Sequence, residues 1–201
     1  GALVGGALYS DLVVTGELTG FTTMERCQSF GISGFNGFML NVALVGGQTL
    51  ELGGAAQTVL LDCWATTDAA GAGATIDMGG AGQALQLRNF AGDVTIINKT
   101  GADLASVEMA GGSIVLDSTL TAGTIYLRGV GDWVNRNTYT GTTTVVDELV
   151  KGHQVQELYK HSNLDPTDAI TVTQTRVSSA SGGIVVDITG NGTTSNTFTR
   201  Q

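Results

Sequence analysis

One short phrase recurs along this chain: an apolar residue, a polar one, an apolar one, then a glycine-bearing turn. Ile76-Asp77-Met78, Leu85-Gln86-Leu87 and Val94-Thr95-Ile96 are three consecutive copies. Such alternation marks a strand with one wet face and one dry face. A strand of three or four residues cannot offset its own ordering entropy, so each copy requires others above and below it. Leu12-Val13-Val14, Leu40-Asn41-Val42, Leu50-Glu51-Leu52 and Val59-Leu60-Leu61 precede these copies; Val107-Glu108-Met109, Ile114-Val115-Leu116 and Ile125-Tyr126-Leu127 follow them. Alternate copies return after about 18 to 22 residues, the length of one turn of a coil. On that reading Ile76, Val94 and Ile114 share one face, and Leu85, Val107 and Ile125 a second.

The expected fold is therefore all-β: a right-handed parallel β-helix or solenoid-like body over residues 1–137, with one short helix and a small C-terminal β-hairpin region. Glycine at the corners supplies positive-φ turns that β-branched residues resist. The rival architecture is a β-sandwich or jelly roll, whose strands run longer and whose turns carry more proline than the single one in these 201 residues.

Around Thr138 the pattern changes. In "TYTGTTTVVDELVKGHQVQELYKHSNLDP" charged residues and helix formers gather. Thr144 and Asp147 have capping-box spacing. Val146, Leu149 and Val150 then form one helical stripe and Val155, Leu158 and Tyr159 another, with Gly152 between them and Asp165-Pro166 as the stop. This predicts a helical cap or junction over 138–165. The tail, 166–201, returns to strand: "AITVTQTRV" alternates Ile170 and Val172 with threonines, "GIVVDITG" carries Ile184, Val186 and Ile188, and "TFTR" adds a third segment.

Composition excludes several functions. A net charge of −9, from Lys+Arg 9 against Asp+Glu 18, is the wrong sign for binding phosphate backbones or acidic membranes. No apolar run approaches the roughly 18 residues of a spanning helix. The opening "GALVGGALYSDLVV" lacks the basic segment of a signal peptide, and a start at Gly1 rather than Met leads us to expect an upstream segment. Cys27 and Cys63 fit no metal spacing and read as two buried free thiols.

Catalytic patterns are sparse. His153 and His161 stand eight residues apart without the partners of a zinc motif, and they read as solvated side chains. Asp77, Asp93 and Glu108, or Asp62 and Asp117, fall on neighbouring copies, where a glycan-cleaving enzyme would need paired acids. Alternation turns Asp77 and Glu108 outward, so a solvated surface explains them. No catalytic, cofactor-binding or metal-binding residue is assigned. Trp64, Tyr126 and Trp133 are the candidates for contact with a glycan. Asn98 and Asn191 match the glycosylation acceptor pattern but read as turn residues.

Three stretches, "TAGTIYLRGVGDWVNRNTYTGTTTVVDELV", "ELYKHSNLDPTDAITVTQTR" and the closing "TFTR", resemble the C-terminal region of virion structural proteins of tailed bacteriophages. The resemblance covers residues 93 to 201. It implies a non-enzymatic structural protein of the virion, a tail, fibre, baseplate or head-surface appendage that assembles as a homotrimer and contacts other virion proteins. Assembly is then expected through Val146, Leu149, Val150, Leu158 and Tyr159, with Ile170, Val172, Ile184 and Val186 in the tail. The alternatives are a receptor-binding tailspike that recognises or cleaves bacterial surface glycan, and a fragment of a bacterial surface adhesin.

Overall fold

The computed structural model describes residues 8–53, 57–80 and 83–150, together with the backbone of three further strands between 171 and 199. Every regular element among them is a strand, so the protein is all-β. The chain divides into two compact units, Gly1–Lys151 and Gly152–Gln201. The first unit holds β1 Leu8–Ser10, β2 Val13–Glu17, β3 Phe21–Glu25, β4 Gln28–Leu40, β5 Ala43–Leu44, β6 Thr49–Leu52, β7 Gln57–Leu61 and β8 Trp64–Ala65. It continues with β9 Ala74–Gly80, β10 Ala84–Ala91, β11 Val94–Lys99, β12 Ala105–Gly111, β13 Ser113–Leu116, β14 Thr124–Gly129, β15 Asp132–Trp133 and β16 Thr144–Asp147.

These strands pair in three parallel stacks. The first runs β1, β3, the end of β4, β7, the start of β10, β12, β14 and β16. The second joins Val13 and Val14 to Gln28 and Ser29, then to β5, β8 and Ala91. The third joins Gly16 and Glu17 to Ile32 and Ser33, then to β6, β9, β11, β13 and β15. One passage through the stacks is a rung, and β4 alone traverses all three. Because β4 and β10 each bend from stack to stack, they close a ring of parallel pairings with β5, β7 and β8.

The inward alternate residues form the core. Met24, Met39, Leu60, Leu87, Val107 and Leu127 follow one another in register in the first stack, and Ile32, Leu50, Ile76, Ile96 and Leu116 in the third. All are buried. Each such side chain contributes about 1.5–3 kcal/mol by leaving water. The face assignments read from the sequence hold, and Val94 lies beside Ile114, but elsewhere the register differs by two residues: Ile96, not Val94, lies beside Ile76, and Ala105, not Val107, beside Leu85.

Two kinds of corner turn the chain. Between the first and second stacks stand Asp11, Arg26, Asn41, Asp62 and Asn89, all with φ between 51° and 58°. Asp and Asn tolerate this left-handed conformation better than other residues with a Cβ. Their amides stay in the ladder: Arg26 N–H donates to Leu40 O at 3.0 Å and Asn41 N–H to Leu61 O at 3.1 Å. The corner after the second stack needs glycine instead. Gly92 and Gly112 have φ of 92° and 97°; a Cβ on Gly112 would collide with the carbonyl oxygen of Gly92, and one on Gly92 with that of Ala65.

The expected helix is corrected at its start. Thr144–Asp147 form β16, paired in parallel with β14 from Thr124↔Thr144 to Leu127↔Asp147. Thr144, Val145 and Val146 are β-branched and suit a pleated strand, and the open edge of β14 supplies partners that an isolated helical turn would lack. Asp147 Oδ1 accepts a hydrogen bond from the amide of Leu149 at 3.0 Å, a turn contact in place of the capping box. The stack thus runs past residue 137. The remainder of the expected helix, from Lys151 on, lies outside the described residues, as do Leu158, Tyr159 and Ile170.

The second unit holds β17 Thr171–Arg176, β18 Ile184–Thr189 and β19 Ser195–Thr199 in an antiparallel sheet of that order. Val172 pairs with Ile188, Val186 with Gln174 and Phe198, and Ile184 with Arg176.

The corners yield a paired prediction. Gly16 has φ 93° with open space where a Cβ would go, so Gly16→Ala carries the backbone cost alone, about 1–2 kcal/mol. Gly112→Ala adds the collision and should cost about 3 kcal/mol or more. Urea denaturation of the two variants measures the difference.

Candidate functional site

Carboxylates come first, because paired acids were the serious catalytic candidates. Asp77 Oδ1 accepts from the Gly79 amide at 2.8 Å and Oδ2 from Asn98 Nδ2 at 2.9 Å. Asp93 Oδ1 accepts from both the amide and hydroxyl of Ser113, at 2.9 and 2.7 Å. Asp62 accepts from Asn89 Nδ2 at 2.7 Å. Asp117 accepts from the Thr119 amide at 2.9 Å, and backbone hydrogen bonds there hold its pKa below the usual value. Each of these four acids fastens a corner to its own turn or to the next rung. Glu108 lies outward on β12, in register with Arg128.

The three aromatic candidates lie apart. Trp64 is in the second stack and 41% exposed. Tyr126 faces outward from the first, with the Arg128 guanidinium 5.1 Å from its ring centre. Trp133 ends the third stack, packs on the core, and meets Tyr139 edge to face at 5.6 Å. They form no common surface. A shallow open depression of about 320 Å³ lies elsewhere, on the third stack, lined by Gly31, Ile32, Ser33, Gly47, Gln48, Thr49 and Glu51.

Cys27 and Cys63 are buried and free, as expected, and burial pushes the Cys63 thiol up to about 11. Among the described residues no group of three or more His, Cys, Asp or Glu is placed to hold a metal. His153, His161 and Asn191 lie outside those residues. Asn98, expected in a turn, lies within β11 at the irregularity between Ile97 and Lys99, with φ 58°, and its side-chain amide donates to Asp77.

The assembly candidates separate by face. Val146 lies outward on the first stack, in register with Tyr126. Leu149 is partly buried against the chain's own core, and Val150 is 57% exposed beside Val130. Val172, Ile184 and Val186 are strand residues of the second unit.

Two features escaped the sequence reading. The first closes the core at its C-terminal end. Register places Asp147 beyond Leu127, at an inward position, where it forms an ion pair with Arg136; both side chains are mostly buried. Arg136 also lies 5.6 Å from the centre of the Trp133 ring, and Tyr139 donates its hydroxyl to Leu120 O at 3.2 Å. A loop rather than a helix therefore covers this part of the core. The second is the outer face of the first stack. Phe38 and Leu40 on β4 pair with Val59 and Leu61 on β7, while Met39 and Leu60 between them are fully buried. These two strands are apolar on both faces. The signal was present in "GFML" and "TVLLD": unbroken apolar runs, as in Leu12-Val13-Val14 and Ile114-Val115-Leu116, where the remaining copies alternate.

Comparison with protein-family models, curated proteins and solved structures finds no match.

Two predictions concern buried charge. Asp147→Ala leaves the Arg136 guanidinium unpaired and should cost about 2–4 kcal/mol. Arg136→Met combined with Asp147→Leu should recover most of that loss, and a double-mutant cycle reads the coupling. Lys99 is 1% exposed and donates from Nζ to Gly101 O at 2.6 Å. Burial pushes its pKa below 10.5, against the smaller effect of Asp103. Between the folded value and 10.5 the unfolded chain holds that proton more firmly, so this lysine's contribution to stability rises with pH. Any stability advantage of Lys99→Met measured at pH 7 should accordingly shrink by pH 10.

Proposed function

We propose that this chain is a non-enzymatic structural component of a phage virion, a homotrimeric appendage whose first unit winds as a right-handed parallel β-helix. One observation carries the reading. The strands of that unit stack in parallel, in register and around a core filled by their own side chains, while four of the carboxylates considered for catalysis are used to fasten its corners. Such a body is a scaffold. Right-handed winding is supported by the near-universal hand of connections between parallel strands in one sheet. The resemblance of residues 93 to 201 to virion structural proteins supplies the location, outside the cell on a particle.

On this reading the stack gives rigidity and the terminal segments give attachment. Short strands buried between neighbours expose few loops to proteolysis, and edges are confined to the end rungs. The second unit, with Val172, Ile184 and Val186 on its strands, is assigned to assembly.

The solution mass tests this. Light scattering after size exclusion should give three copies for residues 1–201 and a smaller species for a chain ending at Lys151. A monomer for the full chain would sink the trimeric form of the proposal, and cleavage of bacterial surface glycan by the purified protein would sink its non-enzymatic form.

A further inference from the structure

The corner between the second and third stacks is longer on one rung than on its neighbours. The chain passes from β8 to β9 through residues 66–73, against 45–48 on the rung before and 92–93 on the rung after. Asp68 Oδ1 holds this loop in shape, accepting from the amides of Ala70 and Ala72 at 2.9 and 2.8 Å. Two further bonds fasten it to the rung before: the Gly46 amide donates to Thr66 Oγ1 and the Gly47 amide to Gly73 O, both at 2.9 Å. A Cβ on Gly47 would collide with Asp68 Oδ2, and Gly47 also lines the depression on the third stack. The loop thus stands at the edge of that depression. Insertions between the rungs of a solenoid are often gathered on the face that binds.

The depression itself, of about 320 Å³, lies where Gly31 has no side chain to fill it. Gln48 reaches across this glycine, with Oε1 3.2 Å from where a Cβ would stand. Ile32 pairs with Leu50 and both are buried, so Ser33 on β4 and Thr49 and Glu51 on β6 face outward. With Gln48 they bring hydroxyls, a carboxamide and a carboxylate to one concave surface. Among the described residues none of these side chains has a hydrogen-bond partner in the chain. Asp62, Asp77, Asp93 and Asp117, by contrast, are all engaged.

We propose that this depression binds one face of a neutral sugar. The lining selects that chemistry. It contains Glu51 and no lysine or arginine, which disfavours an anion. Its one large apolar residue, Ile32, is 1% exposed, too little surface to hold a hydrocarbon. A single carboxylate leaves a divalent cation short of charged ligands. Sugar hydroxyls both donate and accept, and so match hydroxyls, an amide and a carboxylate together. The volume is at the small end of ligand sites and suits a mono- or disaccharide. Because the site is open, the other face of the sugar stays in water and affinity is weak. The inference concerns a single chain and does not rest on the assembly reading.

Saturation-transfer NMR of the full chain with glucose, galactose or N-acetylglucosamine tests it. Transfer should reach at least one of these sugars and vanish in Thr49→Tyr, whose ring fills the depression. It should persist in Thr95→Tyr, two rungs along the same outward column. Gln48→Ala with Glu51→Gln should weaken binding about threefold or more with an unchanged circular dichroism spectrum. That pair carries the test if Thr49→Tyr alters the spectrum. Transfer to none of the neutral sugars overturns the proposal. Transfer that survives both sets of substitutions overturns the site, and transfer to glucuronate or glucosamine in place of the neutral sugars overturns the ligand class.

Discussion

A strand in a parallel stack owns none of its hydrogen bonds. Every amide and carbonyl of β10 or β12 that points along the stack is satisfied by the rung before or the rung after, so a rung is ordered only because its neighbours are. Side chains add to this dependence. Leu87 is buried because Leu60 and Val107 stand in register beside it. Inward columns and backbone ladders impose the same spacing, and a change of register in one breaks the other. The strands here are short for the same reason: length is replaced by repetition.

That constraint explains where polar residues are spent. A corner must reverse the chain without leaving the ladder, and a left-handed residue does this in one step. Asp62 and Asn89 occupy equivalent corners on successive rungs and join through their side chains. Arg26 is the exception, a bulky residue in the same conformation. Its guanidinium is gripped by Asp11 through two contacts of 2.9 Å, which hold the Asp11 carboxyl below its usual pKa. Where the corner backbones themselves stack, as at Gly92 and Gly112, only glycine fits. Acids and amides that resemble a catalytic inventory in the sequence are therefore consumed by geometry.

Legibility followed the same division. Alternation of apolar and polar residues was enough to find most strands from Leu50 to Leu127 and the return of a face about every 20 residues, because burial acts on every inward residue at once. Earlier in the chain β3 and most of β4 went unread, and Leu40-Asn41-Val42, read as a strand, is a corner with Asn41 at φ 52°. Register was not legible: Ile76, Val94 and Ile96 are equally apolar, and pairing is decided by corner geometry that composition does not encode. Thr144–Asp147 was misread for a different reason. Its helical spacing is real, but the open edge of β14 competes for it, and three β-branched residues in four tip the choice. The Arg136–Asp147 pair could not be foreseen, since an inward aspartate is acceptable only at a last rung with an arginine from a loop beside it. The apolar outer face was visible as runs without alternation and passed for ordinary strand.

The place left for function follows from the packing. A body whose inward positions are filled by its own columns keeps its chemistry on the outside, and the outside is a lattice of side chains at fixed spacing: two residues along a strand, one rung along a stack. Such a lattice presents an extended surface rather than a pocket that surrounds a small molecule. Sign alternation from Arg88 to Glu148 adds little within one chain, because exposed ion pairs such as Arg128–Glu148 contribute at most about 1 kcal/mol.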